Sequence, residues 1–343
     1  MGLRQTAEWL VETGGPVVRH RAARELLHLK VGDAELLAAP SVVDWLRRIE
    51  PPAAGKTLHG SLPTHFENVI GRLTDLGCRR GMAPLDRGTR AHLHWLETDD
   101  DPDGYAGFQR ANVANGLAWA GYDRVPAIRS RLEDRLATLS AFARRKRYDI
   151  YVDPDDYPGQ VRGRPLVDPA LHADGTLPLP SIWDMYALVR LRASTDDRAI
   201  ERSVDSVARY VLNDEYQALA PGYGTLRTGR YRDWAIGGDV KLPGFLSGRP
   251  DPRAGALALQ RIELMAAFPA ARRTPWFRAW IRHLDEFRTR RGTWAFPRSY
   301  LPQKRSGYWV LASYRGLEES RRRALALEIE STFRMLSIKQ LSA

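Results

Sequence analysis

Apolar positions recur along the chain at the three- and four-residue spacing of amphipathic helices. The clearest case runs from Val17 to Leu29, with Arg19, Arg21 and Arg24 on the opposite side. A second short helix is predicted from Val42 to Ile49, and Pro51-Pro52 stops it. These two helices predict a HEAT-like N-terminal region over residues 1–52.

Further helix candidates follow, separated by loops rich in Gly, Pro and aromatic residues. They are Phe66–Leu76, Leu85–Leu96, Phe108–Ala120, Ile128–Phe142, Ile182–Leu191, Ile200–Leu212, Leu257–Phe268, Trp276–Phe287 and Leu317–Leu336. No segment of convincing length alternates with period two, so we expect an all-α chain. The helices recur at roughly 40 residues, which is typical of stacked helix pairs. We therefore predict one helical domain over residues 1–343, with its body over residues 53–343.

Composition limits the class of protein. With 343 residues, 43% hydrophobic content and 10 Trp, the chain has enough apolar material for a sizeable core. No apolar run approaches the ~20 residues of a membrane span, and the N-terminus lacks the apolar stretch of a signal peptide. The single Cys78 excludes an internal disulfide framework and a Cys-rich zinc site. We expect a soluble cytoplasmic protein, and we assign no cofactor.

The formal net charge of +11 comes mostly from Arg interspersed with Asp and Glu. Such a charge suits a partner with phosphates, or an anionic substrate in an Arg-lined cavity. One alternative is therefore a HEAT-like nucleic-acid-binding or DNA-repair protein that uses Arg19, Arg21, Arg24 and the run Arg144–Arg147. We do not favour it, because the same composition is common in high-GC bacterial proteins.

An acidic motif, Asp153-Pro154-Asp155-Asp156, stands before Tyr157 in a chain that otherwise predicts helices. Carboxylates a few Å apart raise one another's pKa, so a protonated member could act as a general acid. The same residues also suit the start of a short helix. Asp153 would be the N-cap, Pro154 the first helical residue, and the other acids would favour the helix dipole. Both interpretations stay open.

A second motif, Arg291-Gly292-Thr293-Trp294, follows the second helix of a predicted pair. This Gly-x-Trp element and the Asp-x-Asp-Asp motif resemble the squalene–hopene cyclase and protein prenyltransferase superfamily, from about residue 60 onward. The chain departs from the family at Arg288, where the family has Gln. The resemblance implies an (α/α)6 toroid with a central cavity, in which the family protonates alkenes or isomerises and transfers isoprenoids.

The resemblance also implies roles for individual residues. Asp155 would donate a proton, Asp153 and Asp156 would hold its geometry, and aromatic faces would stabilise a carbocation. The aromatic side chains available for that lining are Tyr157, Trp183, Tyr186, Trp234, Tyr308 and Trp309. Our leading hypothesis is a terpene-cyclase-like enzyme that cyclises or isomerises a hydrophobic, isoprenoid-like substrate. A carbohydrate-processing toroid enzyme with paired carboxylates is a further alternative.

Other candidates lie in the loops. His59 and His65 offer a general base or a substrate contact, but they lack an obvious third ligand for a metal. Thr64 and Glu67 have the spacing of a capping box, which would explain Glu67 without any function. Lys304 is expected to meet an anionic head group or to pack over the rim of the toroid. The list of possible substrate contacts ends with Asp184, an acid expected in the first turn of a helix, facing the cavity or the helix dipole.

Overall fold

The computed structural model describes residues 2–52, 57–98, 104–153, 164–172, 176–229, 232–235 and 237–342, with backbone alone at 104–106, 228–229 and 232–235. In these ranges the chain is mainly helical, which confirms the all-α prediction. Proline occupies the first position of several helices, where its fixed φ and missing N–H are tolerated. Pro16, Pro40, Pro126 and Pro275 each begin a helix in this way.

Among the residues described before position 150, the structure has eight α-helices. They are α1 (Leu3–Thr13), α2 (Pro16–Arg21), α3 (Ala34–Ala38), α4 (Pro40–Leu46), α5 (Phe66–Asp75), α6 (Ala83–Glu97), α7 (Gly104–Leu117) and α8 (Pro126–Arg144). A π-helical turn continues α2 over Ala22–Leu26 and another continues α7 over Ala118–Tyr122. Helix α1 was not predicted from the sequence, and α4 ends at Leu46, well before the prolines that were expected to stop it.

In the described ranges after position 150, seven α-helices and one hairpin follow. The helices are α9 (Ile182–Ala193), α10 (Arg198–Val211), α11 (Asp214–Ala218), α12 (Gly255–Met265), α13 (Pro269–Arg272), α14 (Pro275–Asp285) and α15 (Ala326–Ser342). Strands β1 (Thr225–Gly229) and β2 (Arg232–Ala235) pair antiparallel, and the register shifts between Arg227 and Gly229. This hairpin is a small addition to an otherwise helical chain that the sequence pattern did not predict.

The predicted helix over Leu317–Leu336 is wrong in its first half. Helix α15 begins at Ala326, and residues 317–325 form turns. The backbone N–H groups of Leu317 and Glu318 both donate to Oε1 of buried Glu330, at 2.8 Å each. These bonds hold the segment against α15 in a non-helical conformation, so tertiary contacts override the local apolar pattern.

Helix α5 is buried over its whole length, including its polar residues. It contacts α4, α7 and the 3-10 turn Trp309–Leu311. A helix surrounded by protein on every side must satisfy its polar side chains internally. Glu67 and Asn68 do so at its N-terminal end, and Arg72 and Asp75 do so at its C-terminal end. The two ends of α5 therefore carry the two main polar clusters of the interior.

A buried ion network occupies the C-terminal end of α5. Asp75 lies 3.3 Å from Arg72, 3.4 Å from Arg315 and 3.1 Å from Arg334. Glu263 of α12 contacts both Arg315 and Arg334. Burial alone would raise the pKa of Asp75, but the surrounding guanidinium groups hold it well below its usual value. The network joins α5, α12, α15 and the loop before α15.

The two ends of the chain meet. Helix α1 packs against α15, and the backbone N–H of Gly15 donates to Oε1 of Glu318 at 2.7 Å. Helix α4 packs against α5 and α6, so residues 1–52 contact the body of the protein. Helix α8 packs against α10, and α7 packs against α9. The closed toroid itself, with a HEAT-like N-terminal region, stays a prediction.

Candidate functional site

The N-terminal end of α5 brings two predicted histidines together with a buried acid. His65 stands at the N-cap position of α5, without a side-chain cap hydrogen bond. Its ring packs on Gly60, where a Cβ atom would lie 2.2 Å from Cε1 of His65. Gly60 also has a φ of +144°, so this tight crossing of the loop requires glycine.

The predicted capping box of Thr64 and Glu67 is wrong, because α5 begins later than that motif requires. Glu67 instead accepts the backbone N–H of Gly60 at 2.8 Å through Oε1, and the indole N–H of Trp183 at 3.3 Å through Oε2. Glu67 is only 3% exposed. The buried carboxylate of Glu67 therefore connects the loop at Gly60 to α9, which a helix-capping residue would not do.

His59 completes the group. Its Nδ1 atom lies 2.8 Å from Oε1 of Glu67, and its side chain is 29% exposed. The ring N–H is poorly aligned with that oxygen, which already accepts the N–H of Gly60, so the contact is chiefly electrostatic. Burial alone would lower the pKa of His59, but the adjacent carboxylate of Glu67 raises it above the ordinary histidine value.

Aromatic rings border His59. Phe108 of α7 meets the imidazole edge-on with ring centroids 5.4 Å apart, and Tyr308 lies at 5.7 Å. Two further apolar side chains are exposed on the same loops: Leu62, at 54%, and Leu311, at 50%. We call Leu62, Phe108, Tyr308 and Leu311 the apolar rim. Exposed apolar groups on the loops that carry a half-buried titratable side chain and its aromatic neighbours are typical of a binding site.

Asn68 holds the two loops of the rim together. Its Nδ2 atom donates to the carbonyls of Gly60 and Leu62, at 2.8 Å each, and its Oδ1 atom accepts the N–H of Trp309 at 2.8 Å. The N–H of Gly307 also donates to the carbonyl of Ser61 at 2.7 Å. The position of His59 relative to Tyr308 is therefore fixed by hydrogen bonds from a fully buried side chain.

Three of the predicted aromatic residues pack together behind Glu67. Trp183 stacks on Trp309 with centroids 5.3 Å apart, and Tyr186 lies 5.0 Å from Trp309. All three are buried, and Trp119 extends the group, 4.8 Å from Tyr186. These rings fill the interior and support Glu67, whereas the resemblance implied that they line an open cavity.

The acidic motif lies mostly outside the described residues. Asp155, Asp156 and Tyr157 are not described, and Asp153 is exposed. The backbone of Trp234 lies in β2, and its side chain is not described. The catalytic and capping interpretations of the motif both remain predictions.

Asp184 lies in the first turn of α9, as expected, and its carboxylate is occupied. It forms a capping box with Ser181 and accepts Nδ2 of Asn115 at 2.8 Å. Arg135 of α8 donates to it twice, at 3.1 and 2.8 Å. Burial alone would raise the pKa of Asp184, but Arg135 and these hydrogen bonds hold it below its ordinary value. These contacts indicate a structural ion pair between α8 and α9.

The cations named from the sequence divide into two groups. Lys304 is exposed, and its backbone N–H donates to the carbonyl of Ser313 at 3.0 Å. Arg19 forms an ion pair with Glu35, and Arg21 pairs with Glu25 while its guanidinium lies over the ring of Phe333. Arg19 and Arg21 are therefore engaged within the protein, and the nucleic-acid-binding alternative stays a prediction.

Other chemistry is limited by the surroundings. Burial raises the pKa of the Cys78 thiol to about 12, so it is a poor nucleophile at neutral pH. In the described part of the chain, His, Cys, Asp and Glu side chains form no group of three that could hold a metal ion. The described helices include none with the length and apolar character of a membrane span.

Sequence reasoning missed part of the site. It assigned Glu67 to a cap and did not consider Asn68 or Phe108. The available signal was the pair Glu67-Asn68 beside the apolar residues at the start of a helix, since polar residues on a buried helix face need internal partners. Which partners they would have depends on loops that are distant in sequence.

No model of a known protein family matches this chain, and no curated protein or solved structure matches it either.

Proposed function

We propose that this chain is an enzyme that transfers a proton to an apolar substrate at His59. The observation that carries the proposal is the 2.8 Å contact between Nδ1 of His59 and the buried carboxylate of Glu67, at the edge of the apolar rim. A half-buried imidazole held by a carboxylate is a common arrangement for acid–base catalysis.

The raised pKa favours the imidazolium form of His59 near neutral pH. Nδ1 faces Glu67, and no group in the described ranges hydrogen-bonds Nε2. The Nε2 proton is thus the one left for a substrate. Glu67 orients the ring and balances its charge, and it does not itself touch the substrate.

The apolar rim supports a hydrophobic substrate. Phe108 and Tyr308 present aromatic rings close to the proton donor, and such rings stabilise a developing carbocation by cation–π attraction. This arrangement suits the acid-initiated cyclisation or isomerisation of an isoprenoid-like compound. The proposal also retains a toroidal body, cytoplasmic location and Asp155 as a second candidate acid, all of which rest on the sequence.

No specific observation favours a carbohydrate-processing enzyme. Such an enzyme needs two carboxyl groups facing each other across a groove. Two open depressions on the described surface each have one acid in their lining: Glu97 along α6, and Glu286 beside α14. Neither depression includes His59.

The proposal is tested by incubating the protein in D2O with a panel of linear isoprenoid hydrocarbons and alcohols. Mass spectrometry of the products measures deuterium at carbon, which reports proton transfer in both cyclisation and isomerisation. We expect incorporation with the wild-type protein and a loss of about 10²-fold or more in His59→Asn, because general acid catalysis contributes that much.

His94→Asn is the matched control, since His94 is exposed on α6. It should retain the wild-type rate. Asp155→Asn tests the other candidate acid. If this variant loses deuterium incorporation while His59→Asn keeps full activity, the proton donor lies in the acidic motif. If the wild-type protein labels no member of the panel, the proposed reaction is wrong.

A further inference from the structure

A groove beside α14 is lined by two arginines that form no ion pair in the described chain, together with His283 and Glu286. Its walls include Arg249, from the loop before α12, and Arg282 of α14. Both side chains are exposed, and in the described ranges no carboxylate forms an ion pair with either of them. Other exposed arginines also form no ion pair in the described chain, but these two line one groove from a loop and from a helix.

The groove is held in a fixed shape. The indole N–H groups of Trp276 and Trp280 both donate to the carbonyl of Pro243, at 2.8 and 2.9 Å, and tie the loop to α14. The hydroxyl of Ser247 hydrogen-bonds the backbone carbonyls of Gly244 and Arg249 and so closes the loop. The backbone of Arg249 is therefore positioned relative to Arg282 before any ligand binds.

The acids near the groove are already engaged. Oε2 of Glu286 lies 3.2 Å from Nδ1 of His283, and Nε2 of His283 hydrogen-bonds the hydroxyl of Tyr300 at 2.9 Å. Asp251 caps the short turn after it by accepting the N–H of Arg253 at 3.0 Å. Arg253 and Arg278, two more exposed arginines without ion pairs in the described chain, are next in sequence to the lining residues Pro252 and Ala279. The local balance of charge is positive.

We propose that this groove binds the phosphate group of a small molecule. The depression measures about 330 Å³, which accommodates a phosphate and part of its ester group. Guanidinium groups suit this ligand because their fixed fork of N–H donors matches phosphate oxygens, often in bidentate pairs. Arg249 and Arg282 would grip the phosphate from the loop and the helix. The site is separate from His59 and does not depend on the proposed reaction.

The test is a calorimetric titration with inorganic phosphate and with pyrophosphate, with the ionic strength held constant by NaCl. We expect saturable binding with a Kd on the order of 1 mM or tighter. Arg249→Gln and Arg282→Gln should each weaken binding about tenfold, and Glu286→Gln should strengthen it by removing the carboxylate from the lining. Circular dichroism checks that each variant is folded.

Arg145→Gln is the matched control, because Arg145 is exposed at the end of α8 and forms no ion pair in the described chain. It should leave binding unchanged. The proposal is overturned if roughly 10 mM phosphate gives no saturable binding, or if Arg145→Gln weakens binding as much as Arg282→Gln. It is also overturned if the groove variants bind single-stranded DNA more weakly but bind phosphate as tightly as the wild type does.

Discussion

At the scale of single residues, the same side chain has different meanings in the sequence and in the fold. Glu67 has the spacing of a capping residue, yet its carboxylate accepts from Gly60 and Trp183 and contacts His59. Its burial excludes water, so its effect on the imidazole is stronger than that of a surface carboxylate. Glu67 is the residue that turns His59 into a candidate acid.

The direction of the pKa shift at His59 fixes the expected pH dependence. Because the pKa is raised in the folded protein, the contact with Glu67 stabilises the fold fully below about pH 6.5. That contribution is lost as the pH rises through the raised value. The proton-donating form of His59 is lost over the same range, so deuterium incorporation should fall on the alkaline side.

The pKa of His92 is shifted in the opposite direction to that of His59, so its effect on the pH dependence of stability is also opposite. It is fully buried and stacked on Phe66 with centroids 3.8 Å apart. Burial lowers the pKa of His92 to about 4, so the unfolded chain binds a proton that the folded chain excludes as the pH falls below about 6.5. Between pH 7 and 4, the wild-type protein should lose about 3 kcal/mol more free energy of unfolding than His92→Phe loses. Urea unfolding of both proteins measures this difference. Equal pH dependence of the two proteins would refute this assignment.

At the scale of elements, hydrophobic periodicity predicts the helices that bury one face. It does not predict segments whose conformation depends on contacts with residues distant in sequence. Most body helices agree with their predicted ranges to within a few residues. The start of α15 does not, because hydrogen bonds to Glu330 hold the preceding segment in a non-helical conformation. The hairpin of β1 and β2 and helix α1 are likewise short elements that gain their stability from packing.

Gly71 of α5 tests how tightly that helix packs on the 3-10 turn below it. A Cβ atom at this position would lie 2.5 Å from the ring of Trp309. Gly71→Ala should therefore destabilise the protein by roughly 1–3 kcal/mol, although alanine is the better helix former. Gly107→Ala is the control, because nothing lies within 4 Å of its Cβ position in α7, and it should stabilise by about 0.5–1 kcal/mol. Equal shifts in Tm for the two variants would contradict the packing.

At the scale of the whole molecule, charges buried around Asp75 connect parts of the chain that are far apart in sequence. Asp75→Asn would leave Arg72, Arg315 and Arg334 without their shared counter-charge. The expected loss in free energy of unfolding is about 3–5 kcal/mol. Asp44→Asn breaks an exposed pair with Arg48 and should cost at most about 1 kcal/mol. Chemical denaturation of both variants measures the two losses in free energy of unfolding. Equal losses would show that the network around Asp75 is solvated.

The sequence was sufficient for the class of fold and insufficient for the site. Helical spacing follows from local periodicity, so the all-α architecture could be predicted residue by residue. His59, Trp183, Tyr308 and Trp309 are candidates from the sequence alone, but the sequence does not show which distant residues Glu67 and Asn68 contact. Those contacts span 116 residues between Trp183 and Glu67, and 241 between Trp309 and Asn68. Pairings at such separations are properties of the folded chain.

The most direct test of the central claim is an NMR pH titration of the His59 ring in the wild-type protein and in Glu67→Gln. In the wild type, His59 should titrate above the ordinary value of about 6.5. In Glu67→Gln the pKa should fall below that value, because burial then acts alone, while exposed His94 titrates identically in both proteins. A His59 pKa at or below 6.5 in the wild type would contradict the account.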